Sequence, residues 1–160
     1  MPVLALTILS SFIASAQKGD FNGSWRLDPA KSTLAEYTPI LTRIDIRIIG
    51  DSLLTERYYD TGDGQQYPFT ENLTLEGKEH SITIYEMPRK TKAVWSESDG
   101  TLVVESVTTF MGDMGTQDFV SRESWKADKT KNSFTISYKN KMGSAESEGA
   151  LVLNKVNQGQ

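Results

Sequence analysis

The sequence predicts an all-β protein, an antiparallel up-and-down meander closed into a barrel of about eight to ten strands. Three observations predict it. From Asp20 onward, segments rich in Val, Ile, Thr, Tyr and Phe alternate with short Gly, Asp and Lys clusters, the pattern of strands joined by tight turns. Helical periodicity is nearly absent: the one long gap, Asp28 to Leu41, contains Pro29 and Pro39 and has room for one short helical turn around Lys31 to Glu36. Finally, one apolar face runs through successive hairpins, and no helical layer or second sheet exists to cover it. The sheet must therefore close on itself.

Ten strands follow, at 21–27, 42–49, 52–60, 67–75, 80–87, 90–98, 101–111, 116–126, 133–142 and 147–154. Residues that face each other across a turn point to the same side of a sheet, so each hairpin predicts the facing of the next strand. A turn at Gly50-Asp51 pairs Ile48 with Leu53 and Ile44 with Arg57. A turn at Gly77-Lys78 pairs Leu73 with Ile82, and a loop over Met87 to Lys90 pairs Ile84 with Ala93. Asp99-Gly100 sets Trp95 against Val104, Gly112 to Gly115 sets Leu102 against Trp125, Asp128 to Lys131 sets Trp125 against Phe134, and the last loop sets Tyr138 against Leu151. Only the loop after Asp60 requires an odd length or a bulge, for which Gly62 and Gly64 supply the backbone freedom.

Of 160 residues, 38% are hydrophobic and 24% charged, with no Cys. That is one ordinary globular domain without disulfides. Lys+Arg 17 against Asp+Glu 21 leaves a net charge of −4, which argues against a nucleic-acid partner. Val3 to Ile13 is an apolar run too short for an integral membrane span, and Ala14-Ser15-Ala16 fits the small-x-small signal-peptidase pattern. Residues 1–16 are thus expected to be a signal peptide, 17–160 a single barrel domain, and the product exported, periplasmic or extracellular.

The inward face divides. Towards one end it gathers Ile48, Leu53, Leu73, Leu75, Ile82, Trp95, Leu102, Val104, Trp125, Phe134 and Leu153; towards the other, Arg57, Tyr59, Glu71, Glu86, Ser106, Thr108, Ser121, Glu123, Tyr138 and Asn140. A small hydrophobic or amphipathic ligand could lay its tail among Trp95, Trp125, Phe134, Leu102 and Ile82 and its head near Arg57, Tyr59 and Tyr138, with Phe110 and Phe119 completing the candidate set. Arg57 has two readings: a bidentate anchor for a ligand carboxylate, or half of an internal ion pair with Glu71 or Glu123. His80 falls on the inward face at the rim. Nucleophilic and metal chemistry find little support: there is no Cys, one His, no G-x-S-x-G elbow and no phosphate loop. No cofactor or metal is expected. Asp60 to Gly64 departs from the calcium-loop spacing and reads as a turn.

The segment Asp20-Phe21-Asn22-Gly23-Ser24-Trp25-Arg26-Leu27 resembles the G-x-W opening of lipocalins and the F-x-G-x-W-K-L opening of fatty-acid-binding proteins, both calycin barrels. With Asp28 to Ser32 and Glu123-Ser124-Trp125-Lys126, the chain looks like the small exported lipocalin-like proteins of bacteria. The resemblance implies that Trp25 plugs the closed end, that Gly23 lets the chain pass close beneath, and that a late-strand Arg stacks over Trp25, Arg122 being the nearest candidate although the facing rule turns it outward. It implies carriage of a small molecule. The alternatives are a filled barrel acting as a structural or protein-interaction module, with Val94, Val103, Val107 and Val120 as its patch, and an enzyme using carboxylates and Tyr at the barrel mouth.

Overall fold

The computed structural model describes residues 16–35 and 39–157. The expected leader, apart from Ala16, and Glu36 of the long gap lie outside the described residues. Ten antiparallel strands form one sheet: β1 Gly23–Leu27, β2 Ile40–Ile49, β3 Ser52–Asp60, β4 Gln66–Thr74, β5 His80–Ile84, β6 Met87–Ser96, β7 Thr101–Gly112, β8 Gly115–Asp128, β9 Ser133–Met142 and β10 Ala145–Lys155. Their order is β4-β3-β2-β1-β10-β9-β8-β7-β6-β5. Pairing of β1 with β10 closes the meander, and β4 and β5 face each other without a ladder. The result is a nearly closed barrel.

Two hairpins have the registers expected from their turns: Ile48 faces Leu53 and Ile44 faces Arg57, and Leu102 faces Trp125. Three others slide by two residues, so that Trp95 meets Leu102, Trp125 meets Ile136 and Tyr138 meets Gly149. An even slide leaves every side chain on its expected face. The odd-length connection after Asp60 is the loop Thr61–Gln65 between β3 and β4.

The expected pairing of Leu73 with Ile82 does not form, because this is the seam where the sheet stays open. Here Gly77 N–H donates to Ala93 O at 2.9 Å, Trp95 N–H to Leu75 O at 3.2 Å and Thr74 N–H to His80 Nε2 at 3.2 Å. The loop expected over Met87 to Lys90 is instead strand. Tyr85 and Glu86 make the turn at φ 46° and 68°, the two positive angles of a tight hairpin turn in which Asn or Gly is the usual choice. Glu86 therefore sits at an exposed turn rather than inside, and Arg89 joins β6 opposite Thr108.

A 3-10 helix at Lys18–Phe21 precedes β1, in place of a strand starting at Phe21. It drives the fully buried Phe21 ring under the barrel, edge-on to Phe134 at 5.8 Å and to Trp95 at 6.1 Å. Trp25 donates its indole N–H to Phe21 O at 2.7 Å and meets Phe134 edge-on at 4.9 Å. The cation above Trp25 is Lys155, at 5.1 Å from the ring centre; Arg122 points outward and pairs with Glu105. Gly23, at φ 132°, lies where a Cβ would stand 2.9 Å from Lys155 Cε, so a side chain there would collide with the cation that covers Trp25. With Leu53, Leu73, Leu102, Trp125 and Leu153, these residues make a solid closed end.

Candidate ligand-binding site

Above that closed end the barrel is hollow. A cavity of about 820 Å³ opens toward the hairpins β5–β6, β7–β8 and β9–β10. Its walls include Leu41, Tyr59, Phe69, Ile84, Phe110, Phe119 and Leu151, and its polar lining includes Arg89, Ser106, Thr108, Ser121, Glu123 and Asn140. Phe110 and Phe119 stand edge to face at 6.5 Å, and Tyr59 stacks on Phe69 at 5.7 Å. Size and apolar walls are those of a small-molecule site.

Between hollow and solid halves lies a layer of buried charge. Arg57 on β3 reaches across the barrel to Glu123 on β8 with two bonds, 2.8 and 2.9 Å, while its guanidinium covers the Trp125 ring at 5.2 Å. Trp125 in turn donates its indole N–H to Glu123 at 2.8 Å, and Arg57 donates to Tyr59 Oη at 3.3 Å. Burial works against the charge of Arg57, but the facing Glu123 carboxylate outweighs it and holds the guanidinium pKa well above its ordinary value. Arg57 is thus held in an internal ion pair with Glu123.

A second pair spans the open seam. Arg89 on β6 donates Nε and Nη2 to Glu71 on β4 at 3.0 and 3.3 Å and Nη1 to Thr108 at 3.0 Å; Thr91 donates to Glu71 at 2.5 Å. Burial raises the pKa of both carboxyls, yet Arg89 for Glu71 and Arg57 for Glu123 bring each below its ordinary value. Two ionised carboxylates, each committed to a guanidinium, are poor general acids near neutral pH.

A strap covers part of the mouth. Because β1 ends at Leu27, β10 is left without its neighbour beyond Leu153, and the following segment takes over: Asp28 N–H donates to Val152 O at 2.8 Å, Thr33 N–H to Ala150 O at 2.7 Å, and Val152 N–H to Ser32 Oγ at 2.9 Å. Among the described residues of this segment, Pro29–Lys31 is helical, a single 3-10 turn. Tyr138 donates its hydroxyl to Thr33 O at 3.1 Å; burial pushes its pKa up, keeping it a neutral donor. Gly149 permits this contact, since a Cβ there would lie 2.7 Å from Tyr138 Oη. Leu34 and Ala35 continue onto the cavity rim.

Of the residues singled out in the sequence, Tyr59, Phe110, Phe119 and Tyr138 line the cavity. Arg57, Leu102 and Trp125 lie fully buried beneath it, and Trp95 is half-buried against Phe21. The expected tail position among Trp95, Leu102 and Trp125 is therefore corrected: that region is packed by Phe21 and Phe134, and the open space lies on the far side of the charged layer. Arg89 was missed because Pro88-Arg89 reads as a turn. The alternation Arg89, Thr91, Ala93, Trp95 on one face was the available signal.

This geometry defines a class of fold: a nearly closed ten-stranded antiparallel meander barrel, fatty-acid-binding-protein-like and hollow at one end. Among solved structures it is similar to zebrafish ileal bile acid-binding protein complexed with cholic acid, at TM-score 0.51 and 11% identity, over 86% of this chain and 99% of that one. At that identity the likeness establishes the fold. No protein-family model matches the sequence, and a search of curated proteins gives no match.

Proposed function

We propose that this protein binds and carries a small hydrophobic or amphipathic molecule in its upper cavity. The observation that supports it is the 820 Å³ hollow walled by Phe69, Phe110, Phe119, Ile84 and Leu151 in a barrel whose other half is solid. Burial of apolar ligand area supplies the affinity. The zebrafish neighbour, solved with cholic acid, shows a barrel of this shape in company with such a molecule.

Titration with the neutral dye Nile red tests the reading. Saturable enhancement at one site per chain is expected, with weaker enhancement in a Ser121→Trp variant whose indole intrudes into the hollow. Absence of saturable binding to the folded wild-type chain would overturn it.

Export is part of the proposal, supported by the apolar run Val3 to Ile13 and Ala14-Ser15-Ala16. Expression of the full chain in a Gram-negative host should yield a periplasmic product whose mass corresponds to cleavage after Ala16. An uncleaved cytoplasmic product would remove export from the proposal.

A further inference from the structure

Resting on that binding reading, we infer that the cavity selects a neutral, hydroxyl-bearing amphipathic molecule and discriminates against carboxylates, because among the described residues each cation at its floor and rim is already paired with a carboxylate of the chain. The pairing is seen at three levels, although the buried Arg57 Nε has no hydrogen-bond partner among the described residues. Beneath the floor, both terminal nitrogens of Arg57 are engaged by Glu123, and the side chain is 1% exposed. On the floor, all three nitrogens of Arg89 donate, two to Glu71 and one to Thr108. On the rim, Lys141 lies 3.3 Å from Glu146.

The two buried pairs contribute two positive and two negative charges, so the layer has no net charge to offer an acid. Its cavity-facing member on the β8 side is the carboxylate: Glu123 lines the hollow and its side chain is 15% exposed, whereas Arg57 lies behind it. On the β6 side the order is reversed, Arg89 lining the hollow with Glu71 behind it, and that guanidinium is held by Glu71 and Thr108. A carboxylate reaching for Arg57 meets the Glu123 edge first. It would have to displace Glu123 from Arg57, leaving one buried carboxylate unpaired. A hydroxyl meets no such cost. It can donate to a Glu123 oxygen or accept from Asn140, whose Oδ1 is already taken by the Ser121 hydroxyl at 2.8 Å, leaving its amide N–H groups for an acceptor.

Competition against bound Nile red at pH 7.5, using dodecan-1-ol and dodecanoic acid, separates the two head groups on one tail. The alcohol is expected to displace the dye at a concentration lower by about tenfold or more. Glu123→Gln leaves Arg57 with an uncompensated charge and is expected to reverse the order in favour of the acid; Glu71→Gln does the same through Arg89 and serves if the first variant fails to fold. Equal or tighter binding of the acid to the wild-type chain would overturn the inference, as would an unchanged ratio in a folded variant. If neither compound displaces the dye, the head-group inference fails while the binding reading stands; if the dye itself does not bind, the binding reading fails.

Discussion

Arg57 and Glu123, 66 residues apart in sequence, join opposite walls of the barrel through a bidentate pair that is sealed from below by Trp125. Their contact is a crossbeam, and its energetics follow from burial. Removing one partner strands the other charge in the interior, so Arg57→Ala and Glu123→Ala are each expected to cost about 3–5 kcal/mol. The double change Arg57→Met with Glu123→Leu removes both charges and should cost much less than the two single costs combined. Urea unfolding of the four proteins measures this; additive costs would refute the coupling.

The same carboxyls set an acid limit. Glu71 and Glu123 have folded-state pKa values below the 4.5 of an ordinary Glu, so their stabilisation is fully present above pH 4.5 and is lost as pH falls through the lowered values. The urea midpoint is expected to be level near neutrality and to decline below pH 4.5. Half-buried Asp128, lowered to about 2 by its bonds to Thr130 and Lys131, contributes to the same decline. The Arg57→Met, Glu123→Leu protein isolates the buried share: its decline should be shallower than that of the wild type, and an identical slope would exclude the pair as a cause.

At the strap, Gly149→Val is expected to destabilise by about 1–3 kcal/mol, because the new side chain takes the space occupied by Tyr138 Oη and Thr33. Tyr138→Phe should cost about 1 kcal/mol through the lost bond to Thr33 O. Thermal unfolding reads both. Since the two changes disturb one contact, their combination should cost less than the sum.

The seam between β4 and β5 makes its own prediction. β5 has five residues and one ladder partner, and its other side is held to β4 by His80 and Thr74 rather than by paired backbone. Its amides are therefore expected to exchange with deuterium faster than those of β7 to β9, each flanked on both sides. Equal protection across these strands would show that the seam is closed in solution.

The ring of strands was legible because facing has a period of two residues, and that period survives errors of register. The Gly50-Asp51 turn fixed one hairpin fully; around Asp99-Gly100 and Gly143 the slides were even, so Trp95, Trp125 and Tyr138 still point inward. What escaped was whatever depended on height along the barrel. Facing places Arg57 and Trp125 on the same inner surface, but whether Trp125 is beside open space or beneath it depends on Phe21, which folds under as a 3-10 turn that no strand pattern announces. The Tyr85-Glu86 turn lacks the Asn or Gly that would have located it, and with it went Arg89.

Dividing the barrel into a packed base and an open chamber separates two structural duties. Phe21, Trp25 and the crossbeam above them secure the fold from below, leaving Phe110, Phe119, Ile84 and Leu151 free to change without undermining it. A chain built on this plan can alter the lining of its chamber while its foundation stays fixed.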